Sequence, residues 1–130
     1  MSLTISPQLL QQAQEGQVNE EAFVESIKQS LPYAFEVVEQ LAQRLALGEG
    51  KWVEHSVPPP SEQARAQLLR MIGGDAIRGA VERHFGIKLA FQNCHKTAAF
   101  RPESVDSADY RAFISIESQI LNQTPELVDC

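Results

Sequence analysis

Cys94 and His95 are the adjacent pair whose residue types most directly suggest chemistry. A thiolate nucleophile needs an imidazole within hydrogen-bond reach to take its proton. Neighbours in an extended segment point to opposite sides, so His95 is poorly placed to activate Cys94. The other histidines are His55 and His84. A metal site would have to join Cys94 to one of them or to His95, although no spacing demands it. A free cysteine more often fills space as a small buried hydrophobe. His84 lies four residues beyond Ala80 on what reads as an apolar helical stripe. That placement predicts a packed core histidine, with a protonation switch as the functional alternative.

No linear motif assigns a reaction. The sequence lacks a phosphate-cradling glycine loop with lysine, a dinucleotide fingerprint, a paired-histidine zinc helix, a nucleophile elbow and a CxxC pair. The carboxylates carry no catalytic signature either. Glu20, Glu21 and Glu25 cluster near a helix start, where the dipole accounts for them. We therefore expect no catalytic residue, no metal and no cofactor. The candidate ligand- or partner-binding residues are Trp52, His55, His84, Cys94 and His95. Trp52, the only tryptophan, and His55 sit in the irregular stretch 48–60, GEGKWVEHSVPPP. Loops of that length often carry function, while the simpler role for Trp52 is a lid on the core.

The charge is unevenly spread. Residues 1–60 hold eight acids and three bases, 61–101 three acids and seven bases, and 102–130 six acids and one base, for a net −6. A basic middle between acidic ends either neutralises itself on folding or meets an anionic partner. Bulk charge alone does not favour nucleic acid. Locally, however, residues 61–101 read helix, tight turn, helix and strand pair, the order of a winged-helix segment. Arg65, Arg70, Arg78, Arg83, Lys88, Lys96 and Arg101 would supply its phosphate contacts. Gly79 in the second helix and the acidic flanks weigh against that use.

The elements that would position these residues follow from periodicity and punctuation. Ser6-Pro7 starts a short helix that Gly16 stops, and Asn19 caps a second through Leu31. Pro32 interrupts it, so Ser30 is expected to cap a third, in which Ala34, Val37, Val38, Leu41, Ala42 and Leu45 form the clearest apolar stripe, ending at Gly48. Ser61 caps a fourth helix that closes at Gly73-Gly74, and Asp75 a fifth that closes at Gly86. Apolar alternation over 87–92 and 97–100 then predicts two strands turning at Asn93, Cys94 and His95. Ser107 can cap a last helix through Leu121, burying Tyr110, Phe113, Ile114, Ile120 and Leu121, although Ala112–Ile116 also suits a strand.

With 130 residues, 43% hydrophobic and 22% charged, the chain fits a single domain spanning 1–130. The expected fold is α+β, mainly α: about five to six helices with a small antiparallel β-hairpin near residues 87–101. No apolar run is long enough for a membrane span, and the N-terminus has no export-signal character, so a cytoplasmic location with no membrane partner is expected. Two cysteines, Cys94 and Cys130, are read as free thiols rather than a disulfide. The favoured function is a non-enzymatic regulatory module that binds a protein partner, unknown in identity, with a homodimer as one form. The alternatives are a DNA-binding transcriptional regulator using 61–101, and a small enzyme or ligand-binding protein with a pocket near Cys94 and His95.

Overall fold

The first three helices follow from local rules, and the structure, a computed structural model, describes residues 2–93 and 95–122. Helix α1 (Pro7–Gln14) begins where the Ser6 hydroxyl accepts from the Leu9 amide, and α2 (Glu20–Ser30) where the Asn19 carboxamide accepts from Ala22. Helix α3 (Pro32–Ala46) follows α2 with Leu31 as the only residue between them. Ser30 does not cap α3, contrary to expectation; its hydroxyl accepts from the Thr4 amide. The amides that open the first turn of α3 are satisfied from a distance. Gln67 Oε1 accepts from Tyr33 N at 2.7 Å and Ala34 N at 3.2 Å.

The stretch 48–60 is not wholly irregular. Trp52–His55 forms strand β1, and Gly48 takes a left-handed φ of 77° just beyond the end of α3. The strand eluded prediction because four residues between glycine and proline clusters leave too short a window for alternation to show. Helix α4 (Glu62–Gly73) is capped by Ser61, whose hydroxyl accepts from Ala64 N at 3.1 Å. Helix α5 (Asp75–Phe85) starts without a side-chain cap: Gly74 occupies the cap position and Asp75 is already helical. Gly86, at φ 67°, closes α5.

Strands β2 (Lys88–Gln92) and β3 (Lys96–Phe100) form the expected hairpin, with Asn93 left-handed at its turn. They join β1 in one antiparallel sheet of order β1-β3-β2. The register sets Trp52 opposite Phe100 and His55 opposite Thr97 on one side of β3, and Gln92 opposite Lys96 on the other. Alternation then divides the side chains between two faces. Val53, Leu89 and Ala99 face α2, α3, α4 and α5 and join the main core with Ile27, Leu31, Val38, Leu41, Leu68, Met71 and Val81. Ala90, Ala98 and Phe100 face the other way and meet Phe113, with Trp52 and Tyr110 at the edge.

A short 3₁₀ turn (Pro102–Ser104) leads to α6 (Ala108–Phe113) and α7 (Ile116–Leu121). Ser107 caps α6 as expected, but one continuous helix to Leu121 does not form. Ser115 is extended at φ −76°, ψ 154°, its hydroxyl donating to Ala112 O and accepting from Ser118 N. It closes one helix and caps the next. The break also overturns the expected burial. Phe113 is buried and Tyr110 half-buried, whereas Ile114, Ile120 and Leu121 are 56%, 65% and 76% exposed. The result is an α+β, mainly α fold with a small antiparallel sheet, and seven α-helices rather than five or six among the described residues. The Thr124-Pro125-Glu126 segment, whose proline predicts a last turn, lies outside the described residues, as does Cys130.

Candidate functional site

The predicted site residues separate onto different parts of the fold. His55, the last residue of β1, lies close enough to His95 for His95 to act on it electrostatically. Burial, then the Arg44 guanidinium, then His95 hold the His55 pKa below its ordinary value. Among the described residues, His55 Nδ1 is buried without a hydrogen-bond partner, and so is the hydroxyl of Thr97, which stands directly across the sheet. Cys94 lies outside the described residues. His84 is exposed on α5 and not packed into the core: its spacing continues the buried stripe of Ile77, Ala80 and Val81, but it stands in the last turn of the helix. Its ring meets Phe85 edge-on at 4.7 Å and lies 6.4 Å from Phe35. Trp52 is on the opposite sheet face from His55, since alternate residues of a strand point to opposite sides.

The basic residues of 61–101 do not emerge as one patch. Lys88 and Lys96 project from the sheet face that meets α6 and α7, whereas Arg65, Arg70, Arg78 and Arg83 belong to helices packed on the other. Five of the seven pair with carboxylates: Arg65 with Glu62, Arg78 with Asp75, Arg83 with Glu20, Lys88 with Glu82 and Lys96 with Glu54. Arg101 donates to the Leu45 carbonyl at the end of α3. Arg70 is exposed on α4. Two of the carboxylates, Glu20 and Glu54, come from the acidic first sixty residues, so part of the charge segregation seen along the chain closes internally. Glu20 has its pKa lowered by its hydrogen bond to Arg83.

The face that carries Trp52 has more to offer. Trp52 stacks on Phe100 at 5.2 Å and meets Phe113 edge-on at 5.9 Å. Phe100 is fully buried, and Tyr110 stands against it at 5.1 Å. Together they give Trp52 a rigid aromatic support and leave its outer side half-exposed. Beside it a cleft of about 460 Å³ opens between the sheet and α6–α7. Trp52 and Phe113 form its apolar wall, Glu54, Asp109 and Glu117 its carboxylate rim, and Leu121 one lip. Lys96 also reaches in, with Nζ 3.5 Å from Glu54 and 5.8 Å from the centre of the Phe113 ring. An ammonium between a carboxylate and an aromatic face is held by both.

Helix α7 is attached in an unusual sense. Gln92, buried on β2, donates through Nε2 to the Phe113 carbonyl and to Ser118 Oγ, and its Oε1 accepts from Asn122 Nδ2 at 2.8 Å. Gln119 Nε2 donates to Asn93 Oδ1 at 2.8 Å, and Asn93 Nδ2 to the Asn122 carbonyl at 3.0 Å. The helix thus presents its amide and hydroxyl side to the sheet. Ile116, Ile120 and Leu121, spaced i, i+4 and i+5, are left outward and 65–76% exposed. Spacing alone predicts the reverse for Ile120 and Leu121, because it turns apolar residues inward without asking what the carboxamides of the β2–β3 turn would bind. The signal was present in Gln92-Asn93 and in Ser118, Gln119 and Asn122.

Among the described residues, no group of three or more His, Cys, Asp or Glu side chains is arranged to hold a metal ion, and no helix is long and apolar enough to cross a membrane. No curated protein and no solved structure matches the chain significantly. A family model, KH_NucS_shadow, described as "NucS shadow ORF", matches residues 1–130. The chain belongs to that family. The description names a reading frame and assigns no activity.

Proposed function

We propose that this member of the NucS shadow ORF family is a non-enzymatic interaction module, with the α6–α7 side as its docking face. One observation carries the reading: α7 binds its own sheet through polar side chains and turns Ile116, Ile120 and Leu121 outward beside an aromatic-walled cleft. Apolar side chains gathered on one exposed face, next to polar groups, are the usual mark of a protein-binding surface. Photo-crosslinking tests it. A photoreactive residue at Ile120 is expected to give discrete protein adducts that the same residue at exposed Gln11 does not. Equal labelling from both positions would refute the reading.

A nucleic-acid reading has the helix–glycine turn–helix of α4 and α5, with the following strand pair, in its favour. Three observations count against it. Arg83 of α5 is bound to Glu20 of α2, which packs along α5 and covers part of the helix that would enter a groove. KH modules clamp nucleic-acid backbone with a GXXG loop, whereas here α4 ends at Gly73 and α5 begins at Asp75, leaving Gly74 alone between them. The net charge of −6 over the whole chain opposes phosphate, although residues 61–101 are locally basic. Salt-sensitive retention on DNA, lost in the Arg70→Glu variant, would restore this reading.

A further inference from the structure

We infer that the cleft beside Trp52 takes the cationic side chain of a basic, amphipathic partner segment, whose apolar side lies on the outward face of α7. This rests on the interaction reading above and gives its partner a chemistry. Among the described residues, three carboxylates, Glu54, Asp109 and Glu117, rim the cleft, and Lys96 is the one cation lining it. Asp109 and Glu117 are exposed and form no ion pair among the described residues. The rim therefore keeps an excess of negative charge over aromatic walls.

Lys96 supplies an internal precedent. Its ammonium sits between the Glu54 carboxylate and the Phe113 ring, the two kinds of group that would receive an incoming lysine or arginine. A guest cation has Asp109 and Glu117 to pair with and the half-exposed Trp52 ring to lie against. The apolar requirement is met next door: Leu121 forms a lip of the cleft and continues into Ile120 and Ile116 on α7. A helical segment with leucines on one side and lysines beside them satisfies both surfaces at once, as amphipathic helices do in apolar grooves. An acidic segment or a nucleic-acid strand meets like charge at the rim.

Trp52 is the only tryptophan and lines the cleft, so its emission reports occupancy directly. The probe is a synthetic peptide with leucine and lysine at helical spacing, compared with the same peptide carrying glutamate for lysine. The lysine peptide is expected to shift Trp52 emission saturably and the glutamate peptide to leave it unchanged. The double variant Asp109→Asn, Glu117→Gln should weaken binding by about tenfold or more at low salt. The Lys96→Met variant, which removes the resident cation, should bind the lysine peptide more tightly than the native protein.

Equal binding of the two peptides, no response to the rim substitutions, or weaker binding by Lys96→Met would each overturn the inference. So would concentration-dependent self-association that Ile120→Gln abolishes, which would make a second copy the occupant. Discrete adducts from position 120 without peptide binding would leave the interaction reading standing and remove only the cationic ligand.

Discussion

Gln67 offers the sharpest test of how this fold is held together. A single residue separates α3 from α2, and that residue, Leu31, occupies the cap position with a side chain that accepts no hydrogen bond. The Gln67 carboxamide oxygen, brought from α4, takes the amides of Tyr33 and Ala34 at 2.7 and 3.2 Å in a partly buried setting. Replacing it with leucine keeps the volume and deletes the acceptor. Loss of a helix cap costs about 0.5–2 kcal/mol, and an intramolecular hydrogen bond contributes about 1 kcal/mol net. Partial solvent access prevents the full penalty for two orphaned donors, so Gln67→Leu is expected to cost about 1–2 kcal/mol. For a chain of this size that is a fall in Tm of roughly 4–8 °C. Gln67→Glu keeps an acceptor and adds negative charge at a helix N-terminus, where it is favourable by about 0.3–1 kcal/mol. Its stability should equal or exceed the native value. Urea unfolding followed by far-ultraviolet circular dichroism measures both. A leucine variant as stable as the native protein, or a glutamate variant as damaged as the leucine one, would refute the capping argument.

Two further outcomes follow from the sheet. His55 has its pKa lowered from the ordinary 6.5 by burial and by Arg44 and His95, so between that depressed value and 6.5 the unfolded chain binds more protons than the folded one. Stability should therefore rise with pH through that window and be complete above it; His55→Gln should flatten this part of the profile, and an unchanged slope would count against the assignment. Gln92→Met should release α7 by deleting the hydrogen bonds to Ser118 and Asn122, so that amides of 118–122 exchange faster while those of α3 keep their protection; uniform acceleration throughout would mean that Gln92 supports the whole fold instead.

What could be read from the sequence was local. The caps Ser6, Asn19, Ser61 and Ser107 and the left-handed stop at Gly86 all stand where side-chain chemistry placed them, because each acts within four residues of itself. The stripe of α3 and the β2–β3 hairpin were legible through period alone. What depended on distant partners was not. Gln67 displaced Ser30 as the source of the α3 cap across 34 residues, and β1 exists because β3 offers it a partner. His84 continues the spacing of the α5 stripe, yet it stands in the helix's last turn, and spacing holds no information on whether another element covers that turn. The α6–α7 segment failed for a related reason. Its polar residues answer a buried glutamine on another element, and a hydropathy pattern contains no information about that partner.

The electrostatics of the chain and its outward apolar residues lead to one place. Two acids of the first sixty residues, Glu20 and Glu54, neutralise Arg83 and Lys96, while Glu62, Asp75 and Glu82 neutralise three more bases within the middle segment. Among the described residues beyond Arg101, no ion pair offsets the acids Glu103, Asp106, Asp109 and Glu117. That same segment carries Ile114, Ile116, Ile120 and Leu121, all more than half exposed. Apolar exposure and unbalanced negative charge thus coincide, and the two respond oppositely to the medium. Added salt screens the carboxylates but leaves apolar association intact or, with strongly excluded anions, strengthens it. A partner held by both terms must weaken as sodium chloride rises and then level off at the apolar contribution, whereas a partner held by charge alone would be released completely. The plateau, and not the initial slope, is the part of the salt response that reports the face of α7.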